Sequence, residues 1–458
     1  MVTEQLIRFA RSLRYEDLPA PVVLAAKRYI LDALGCAVAG HHTDKGKIAA
    51  AMSSALGGAP EARILGTNQR VAVTNAAFAN GELTNGLDYD GIPHIQPVIV
   101  PPILAMAEKY HSSGKSFILA VVVAHEISAR LGVAAMRKGV MAVGAKVRIW
   151  GLCDESIIGA AAGLSSLLSL DEDATNFAIG LAGYYCPPQS SHHWETQSPL
   201  SMVKYTPVGW ICQGAVTAAL LAQAGFTGPS AVFDGPVGFP VFYGWEEWKP
   251  AVATAELGEK WRIEMIDLKP YACCRFLHSQ LDCMTALVAK HRFAPDRIQS
   301  ITALGVPLPA NPDKMNVRNQ VDAQFSTPYM LALAASGIPI DAMSQTHERL
   351  NDPTIRSLMR KISWGEHPQA AASKQADPKS YIAKVEVVVD GKSYVEERLY
   401  ARGTASVAGF GLTDDELDQK FIANVSSVLP TAGPRARDML RDLDKSDDVS
   451  NLVDSLTL

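Results

Sequence analysis

The chain lacks most of the features that announce a function outright. Its seven cysteines form no C-x-x-C pair; only Cys273 and Cys274 adjoin, with Cys283 a little further on. Neither a zinc ribbon nor a disulfide framework is implied, and reduced thiols in a cytoplasmic protein are the simplest account. There is no basic tract, and the net charge of -5 offers no electrostatic footprint for nucleic acid or a membrane surface. The glycines of GFTGPSAVFDGPVGF fit neither the dinucleotide fingerprint nor the P-loop, and no G-x-S-x-G nucleophile elbow occurs. The adjacent His192 and His193 have no third ligand at regular spacing, so no metal site is read there. The opening MVTEQLIRFARSL is not ordered as a signal peptide, and no run of 18 uninterrupted apolar residues suggests a membrane span. The expectation is a small-molecule ligand, with no cofactor and no metal.

What is present is apolar and helical. At 458 residues with 48% hydrophobic and 19% charged side chains, the chain exceeds one compact core, so two domains are expected. LPAPVVLAAKRYILDALGCAVAG and KSFILAVVVAHEISARLG carry apolar residues at helical spacing, while SIIGAAAGLSSLLSL and WICQGAVTAALLAQAGF are rich in the small residues that let helices approach closely. Glu126 and Arg130, four apart, are placed to pair along one helix. After about Ile263 the pattern changes. IQSITALGV alternates in part, and YIAKVEVVVDGKSYVEERL predicts a hairpin turning at Asp390-Gly391. Helical stretches, LHSQLDCMTALVAKH and STPYMLALAASG, lie between. From LTDDELDQKFIANVSSVL onward the chain returns to helix, capped by Thr413. The fold class expected is mainly α: a large all-helical domain (1–263) with an inserted, smaller α+β lid (264–402), and C-terminal helices (403–458) that rejoin the first domain.

The segment NGELTNGLDYDGIPHIQPVIVPP places Asp88 and Asp90 just before His94 in a Gly/Pro-punctuated loop between helical flanks. Carboxylate and imidazole are the side chains most used to move protons, and loops carry such groups in unusual geometry. Lys204, in SPLSMVKYTPVGW, precedes an Ala-rich helix. Lys269, in DLKPYACCRFLH, sits in a composition unlike a surface, where a cation needs an anion to meet. Arg275 and His278 follow, three apart; the first suits a bidentate grip on a carboxylate, the second a hydrogen bond or a proton. Tyr329, after a helix-opening proline in QFSTPYM, offers a phenol.

Taken in order, AFANGELTNGLDYD, SMVKYTPVG with the downstream AGFTGP, LKPYACCRFLH and QFSTPY resemble the MmgE/PrpD family, whose branches include 2-methylcitrate dehydratase, cis-aconitate decarboxylase and iminodisuccinate epimerase. The resemblance covers nearly the whole chain. It implies a helical domain plus a smaller lid, a site in the cleft between them, and a homodimer. Asp88, His94, Lys204, Lys269 and Tyr329 become the expected catalytic residues, with Arg275, His278 and Asp90 on the substrate-binding side. Two departures separate this chain from the dehydratase and decarboxylase branches. Asp90-Gly91-Ile92 and a shortened run to Pro97 replace an Asp-Asp-Thr segment, and Ile149-Trp150-Gly151-Leu152 stands where those branches carry a histidine. Among the branches the chain most resembles the epimerase. The implied reaction is cofactor-independent inversion α to a carboxylate in an aminopolycarboxylate such as iminodisuccinate; the alternatives are a hydro-lyase on a tricarboxylate and a non-catalytic scaffold of the same fold. Cations must then face the substrate carboxylates, supplied by Lys204, Lys269 and Arg275, with the opposing acid and base drawn from Asp88, His94, His278 and Tyr329.

Overall fold

The computed structural model describes residues 1–135, 153–245 and 247–458. It is mainly helical, with one two-stranded and one four-stranded sheet among the described residues.

The helices Ala20–Ala39, Val73–Asn85, Gln96–Lys109, Gly114–Ala134, Ser156–Leu167, Glu172–Tyr185 and Val208–Gln223 share one continuous apolar core. Small residues decide how closely they approach. A Cβ at Gly159 would lie 2.0 Å from Ser128 Oγ and 2.5 Å from the Ala124 carbonyl, so Ser156–Leu167 can lie against Gly114–Ala134 only with glycine at that crossing. Gly114–Ala134 is long and apolar enough to cross a membrane by length and composition, although its sequence breaks any uninterrupted apolar run; 78% of its most apolar window is buried against the rest of the chain. Glu126 and Arg130 on it do pair, at 3.5 Å. Their larger task is to anchor the connection to the second domain: Glu126 Oε1 accepts from the amides of Arg262 and Ile263, while Arg130 donates to the carbonyls of Ala255, Glu256 and Lys260.

The smaller unit is built on a sheet ordered Ile362–Glu366, Ile298–Gly305, Ala383–Val389, Lys392–Arg398. The first two strands run parallel and the other neighbours antiparallel. Asp390 and Gly391 close the hairpin with φ of 51° and 75°, the left-handed geometry that a two-residue turn requires. Ala383, Val385, Val387 and Val389 alternate inward, meeting the helices His278–His291 and Thr327–Ala335 in a second core. Beyond it, the Asp414–Ser426 helix starts with a capping box between Thr413 and Glu416 and lies along Ala20–Ala39, Phe421 filling the groove left by Gly35. The chain thus leaves the helical layer near Ile263, builds the α+β unit, and returns.

Candidate active site

The Val73–Asn85 helix ends at the loop that carries Asp88, and Asp88 itself is left-handed (φ 55°) and fully buried. A non-glycine residue held there marks a backbone over-determined by its surroundings. Those surroundings are explicit. Gly91 N–H donates to Gln96 Oε1, whose amide donates to the Tyr29 carbonyl. Ile92 and Asp267 exchange both backbone hydrogen bonds, at 2.8 and 3.3 Å. A Cβ at Gly91 would lie 3.2 Å from both the Asp267 carbonyl and Ile266 Cγ2, so glycine lets the two segments touch. This staple delivers Lys269, two residues beyond Asp267, to Asp88.

Lys269 Nζ donates to Asp88 Oδ2 at 3.0 Å and to the Asp88 carbonyl at 2.7 Å. Lys204, also left-handed (φ 56°), brings its Nζ within 3.1 Å of Asp88 Oδ1 and donates to the Asn85 carbonyl. Tyr205 OH completes the set, donating to Asp88 Oδ1 at 2.9 Å. Burial opposes the charge on Asp88, but Lys204, Lys269 and His94 outweigh it and hold the carboxyl far below the usual range. Burial lowers Lys204 to about 8 despite Asp88, whereas for Lys269 the pull of Asp88 and Asp90 wins over burial and the ammonium is held above its ordinary value.

One residue further, Asp90 Oδ2 binds His94 Nδ1 at 2.6 Å. Burial again works against the charge on Asp90, and His94 overcomes it, leaving the carboxyl below its ordinary value. This fixes the ring orientation, with Nδ1 facing the carboxylate. Nε2, 3.9 Å from Asp88 Oδ1, makes no hydrogen bond among the described residues. The His94 ring lies against Tyr205 (centroids 4.5 Å), and Tyr205 against Trp194 and Phe325. Two aspartates and two lysines make the cluster neutral while His94 is neutral, so a proton gained by His94 leaves one net positive charge.

His94 opens onto a cavity of about 260 Å³ between the two units, lined from one side by Ile92, Trp194 and Tyr205 and from the other by Cys274, Phe276 and Tyr381. The lining is chiefly apolar, with Arg275 and Glu195 also on it. Lys374 stands over the Tyr381 ring at 3.5 Å, and Lys314 donates to the carbonyls of Ala310 and Asn311 at the edge. Burial lowers Lys374 to about 8, helped by Arg275, and lowers Lys314 as well.

Several of the sequence-based assignments change in this light. Asp90 is not a substrate ligand in this arrangement; it is occupied in orienting His94. Lys204 and Lys269 are counter-ions of Asp88 behind the cavity wall rather than on it. Arg275 is not a free fork. Its terminal nitrogens donate to the carbonyls of Arg402 and Ala401, to Thr404 Oγ1 and to Asp267, because they close the 401–404 segment onto the helix start. Among the described residues only its Nε–H is unspent. His278 is buried beneath it, Nδ1 against Arg275 at 3.3 Å and Nε2 donating to the Cys273 carbonyl; burial, Arg275 and Lys269 push it well below the ordinary histidine range and keep it neutral. Tyr329 stands apart, in the core of the smaller unit, its hydroxyl donating to the Ser344 carbonyl at 2.7 Å. The Ile149–Leu152 stretch lies outside the described residues.

Tyr205 and Lys420 went unread in the sequence. Tyr205 only directly follows Lys204, with nothing to reveal that its hydroxyl reaches Asp88. Lys420 arrives from the C-terminal helix, pairs with Asp32 at 2.6 Å, and donates to the carbonyls of Tyr89 and Lys269, tying together the two segments that hold the cluster.

Asp88, Asp90 and His94 do offer ligand atoms within 4.8 Å of one another. Yet both Asp88 oxygens already meet ammonium groups, and a divalent ion there would face two positive charges at contact range, so the donor set suits proton transfer better than metal binding.

Comparison with known proteins gives a family for this geometry. The model of the MmgE/PrpD N-terminal domain matches residues 4–250, and that of the MmgE/PrpD C-terminal domain matches residues 271–445. Among curated relatives, the cis-aconitate decarboxylase-like protein oryM of Aspergillus oryzae is 26% identical, covering 99% of this chain and 96% of its own. A cis-aconitate decarboxylase of Aspergillus terreus is also 26% identical, over 79% of this chain and 78% of its own.

Proposed function

The chain belongs to the MmgE/PrpD family of enzymes, and from that premise we propose that it moves a proton at the carbon α to a carboxylate of a small polycarboxylate, without a cofactor. The observation that carries this reading is His94: oriented through Nδ1 by Asp90, unengaged at Nε2 among the described residues, and set in the wall of the interdomain cavity. In the proposed step, neutral His94 Nε2 takes the α-proton. The electron pair left on carbon spreads onto the adjacent carboxylate, and the imidazolium is steadied by its Nδ1 contact to Asp90 while the cluster as a whole gains one positive charge. Charge develops on both partners together, positive on the cluster and negative on the substrate, which is where stabilisation lowers a barrier. Arg275, Lys314 and Lys374 around the cavity supply the positive field that draws a polyanion in.

Within that class we favour inversion, as in an iminodisuccinate epimerase, because the Asp90-Gly91-Ile92 loop departs from the dehydratase and decarboxylase pattern. The relatives named for cis-aconitate decarboxylation support a second reading, a lyase using the same proton-transfer group. Incubation with iminodisuccinate, cis-aconitate and 2-methylcitrate in heavy water, followed by NMR, separates the two. Deuterium at the α-carbon with a mixture of stereoisomers and no alkene or carbon dioxide is expected; stoichiometric release of water or carbon dioxide overturns inversion. His94→Asn should lower turnover by about 10²–10⁴-fold with the fold intact.

We also propose a homodimer. Tyr184, Trp210, Phe226, Val237 and Phe242 are each about half or more exposed, a large apolar load for a free surface. Sedimentation at micromolar concentration should give twice the chain mass, and a monomer would remove the proposal.

A further inference from the structure

Building on the proton-transfer reading above, we infer that Glu195 is the second acid–base group of the cavity and that His192 links it to solvent. Inversion needs two groups, one to remove a proton from one face and another to deliver a proton to the opposite face. The cavity lining narrows the choice. Arg275 never gives up its proton in a protein. Tyr205 is pushed well above its ordinary value by burial and Asp88, its hydroxyl already committed to that carboxylate. Burial pushes Cys274 and Tyr381 up to about 12. Besides His94, the remaining ionisable group on the lining among the described residues is Glu195, the one carboxylate among them.

The setting of Glu195 is that of a built group. It ends the short helix Ser191–Glu195, which Ser191 ties to the Tyr205 carbonyl and Trp194 Nε1 ties to the Ser201 carbonyl. Its own carbonyl accepts from the Asn311 amide across the domain boundary. The side chain is 9% exposed; Oε1 meets His192 Nδ1 at 2.7 Å, and Oε2 accepts no hydrogen bond among the described residues. His192 is 35% exposed, so the pair runs from cavity wall to bulk water. The Tyr205 and Trp194 rings link His94 to Glu195 along one wall, so inversion requires the α-carbon to seat over those rings with one face toward each group. The step balances: His94 takes a proton from one face of the α-carbon, Glu195 gives one to the other, and the two protonation states reset through His192 and water.

The test uses the full-length enzyme and separated stereoisomers of iminodisuccinate in heavy water. Glu195→Gln should lose inversion by at least about 100-fold in both directions, yet still exchange the α-hydrogen of the one stereoisomer that faces His94; His94→Asn should exchange only the opposite one. His192→Gln should keep inversion but lower the deuterium gained per inversion, a split that mere damage to the fold does not produce. Inversion by Glu195→Gln within a few-fold of the unaltered enzyme, or exchange lost for both stereoisomers alike in a variant of unchanged circular dichroism and melting, overturns the assignment. If the unaltered enzyme instead releases carbon dioxide or water from a tricarboxylate, the inversion reading fails separately. Glu195 is then judged as the proton donor of the lyase, and an unchanged lyase rate in Glu195→Gln overturns it.

Discussion

Replacing Asp88 by asparagine removes one negative charge from a site where two fully buried ammonium groups depend on it, at 3.0 and 3.1 Å. Asparagine keeps the shape but not the acceptors. One of its two ends must present N–H₂ either to Lys269 or to Lys204 and Tyr205, all of which donate. Removing one partner of a buried ion pair costs about 3–5 kcal/mol, and since one anion here serves two cations the upper value, about 5 kcal/mol, is expected. At a urea slope of about 3 kcal/mol per M, the unfolding midpoint should fall by roughly 1.7 M at pH 7. The double variant Asp88→Asn with Lys269→Met should regain about 2 kcal/mol, because it also removes one stranded charge. The deficit should shrink as pH rises. Lys204 is already depressed in the folded state, to about 8, and without Asp88 it falls further. Between that value and the unfolded lysine pKa of about 10.4 the unfolded chain holds more protons than the folded one, so stability climbs with pH. Urea melts of the four proteins of this cycle, the unaltered chain, Asp88→Asn, Lys269→Met and the double variant, at pH 7 and pH 9 measure all of this. A midpoint for Asp88→Asn within about 0.3 M of the unaltered protein, or a double variant as weak as the sum of both singles, refutes the charge balance described here.

The alkaline limb of kcat/KM on whichever polycarboxylate turns over should fall with an apparent pKa near 8, the value to which burial brings both Lys204 and Lys374; once Lys204 is neutral the cluster carries a net negative charge, and once Lys374 is neutral the cavity edge loses its pull on a polyanion. A profile flat to about pH 9.5 would remove Lys204 from the field at the site. Tyr329→Phe should cost about 1 kcal/mol of stability, the worth of its bond to Ser344, and leave kcat within about twofold; a loss of turnover beyond about tenfold would place the phenol in the chemistry after all.

The helical layer and the small sheet were legible in the sequence because periodicity and turn chemistry are local. The alternation from Ala383 to Val389 and the Asp390-Gly391 turn are written within a dozen residues. The partners of Asp88 were suggested only by the order of motifs, since Lys204 and Lys269 stand 116 and 181 positions away and no local rule joins them. Arg275 shows the limit most clearly. A guanidinium beside a cavity reads as a carboxylate fork, but its donors are consumed by backbone carbonyls near residue 402, which nothing around position 275 announces. Tyr329 fails for the converse reason: an apolar helix offers a phenol a core position, and a carbonyl at Ser344 satisfied it there. Tyr205 was invisible because its reach to Asp88 depends on the left-handed backbone at Lys204, a conformation that the sequence does not spell.

Lys420 also bears on the order in which the protein becomes competent during synthesis. Asp32 and the Asp88–Asp90 loop leave the ribosome hundreds of residues before the helix that holds Lys420, and until that helix docks the Tyr89 and Lys269 carbonyls lack their shared donor. A chain halted anywhere before the Asp414–Ser426 helix therefore carries Asp88, Asp90, His94, Lys204 and Lys269 without the cation that ties their two segments together. Docking of the Asp414–Ser426 helix is thus what joins the Tyr89 and Lys269 carbonyls through one shared cation, so the geometry of the Asp88 cluster depends on a helix that touches neither His94 nor the cavity.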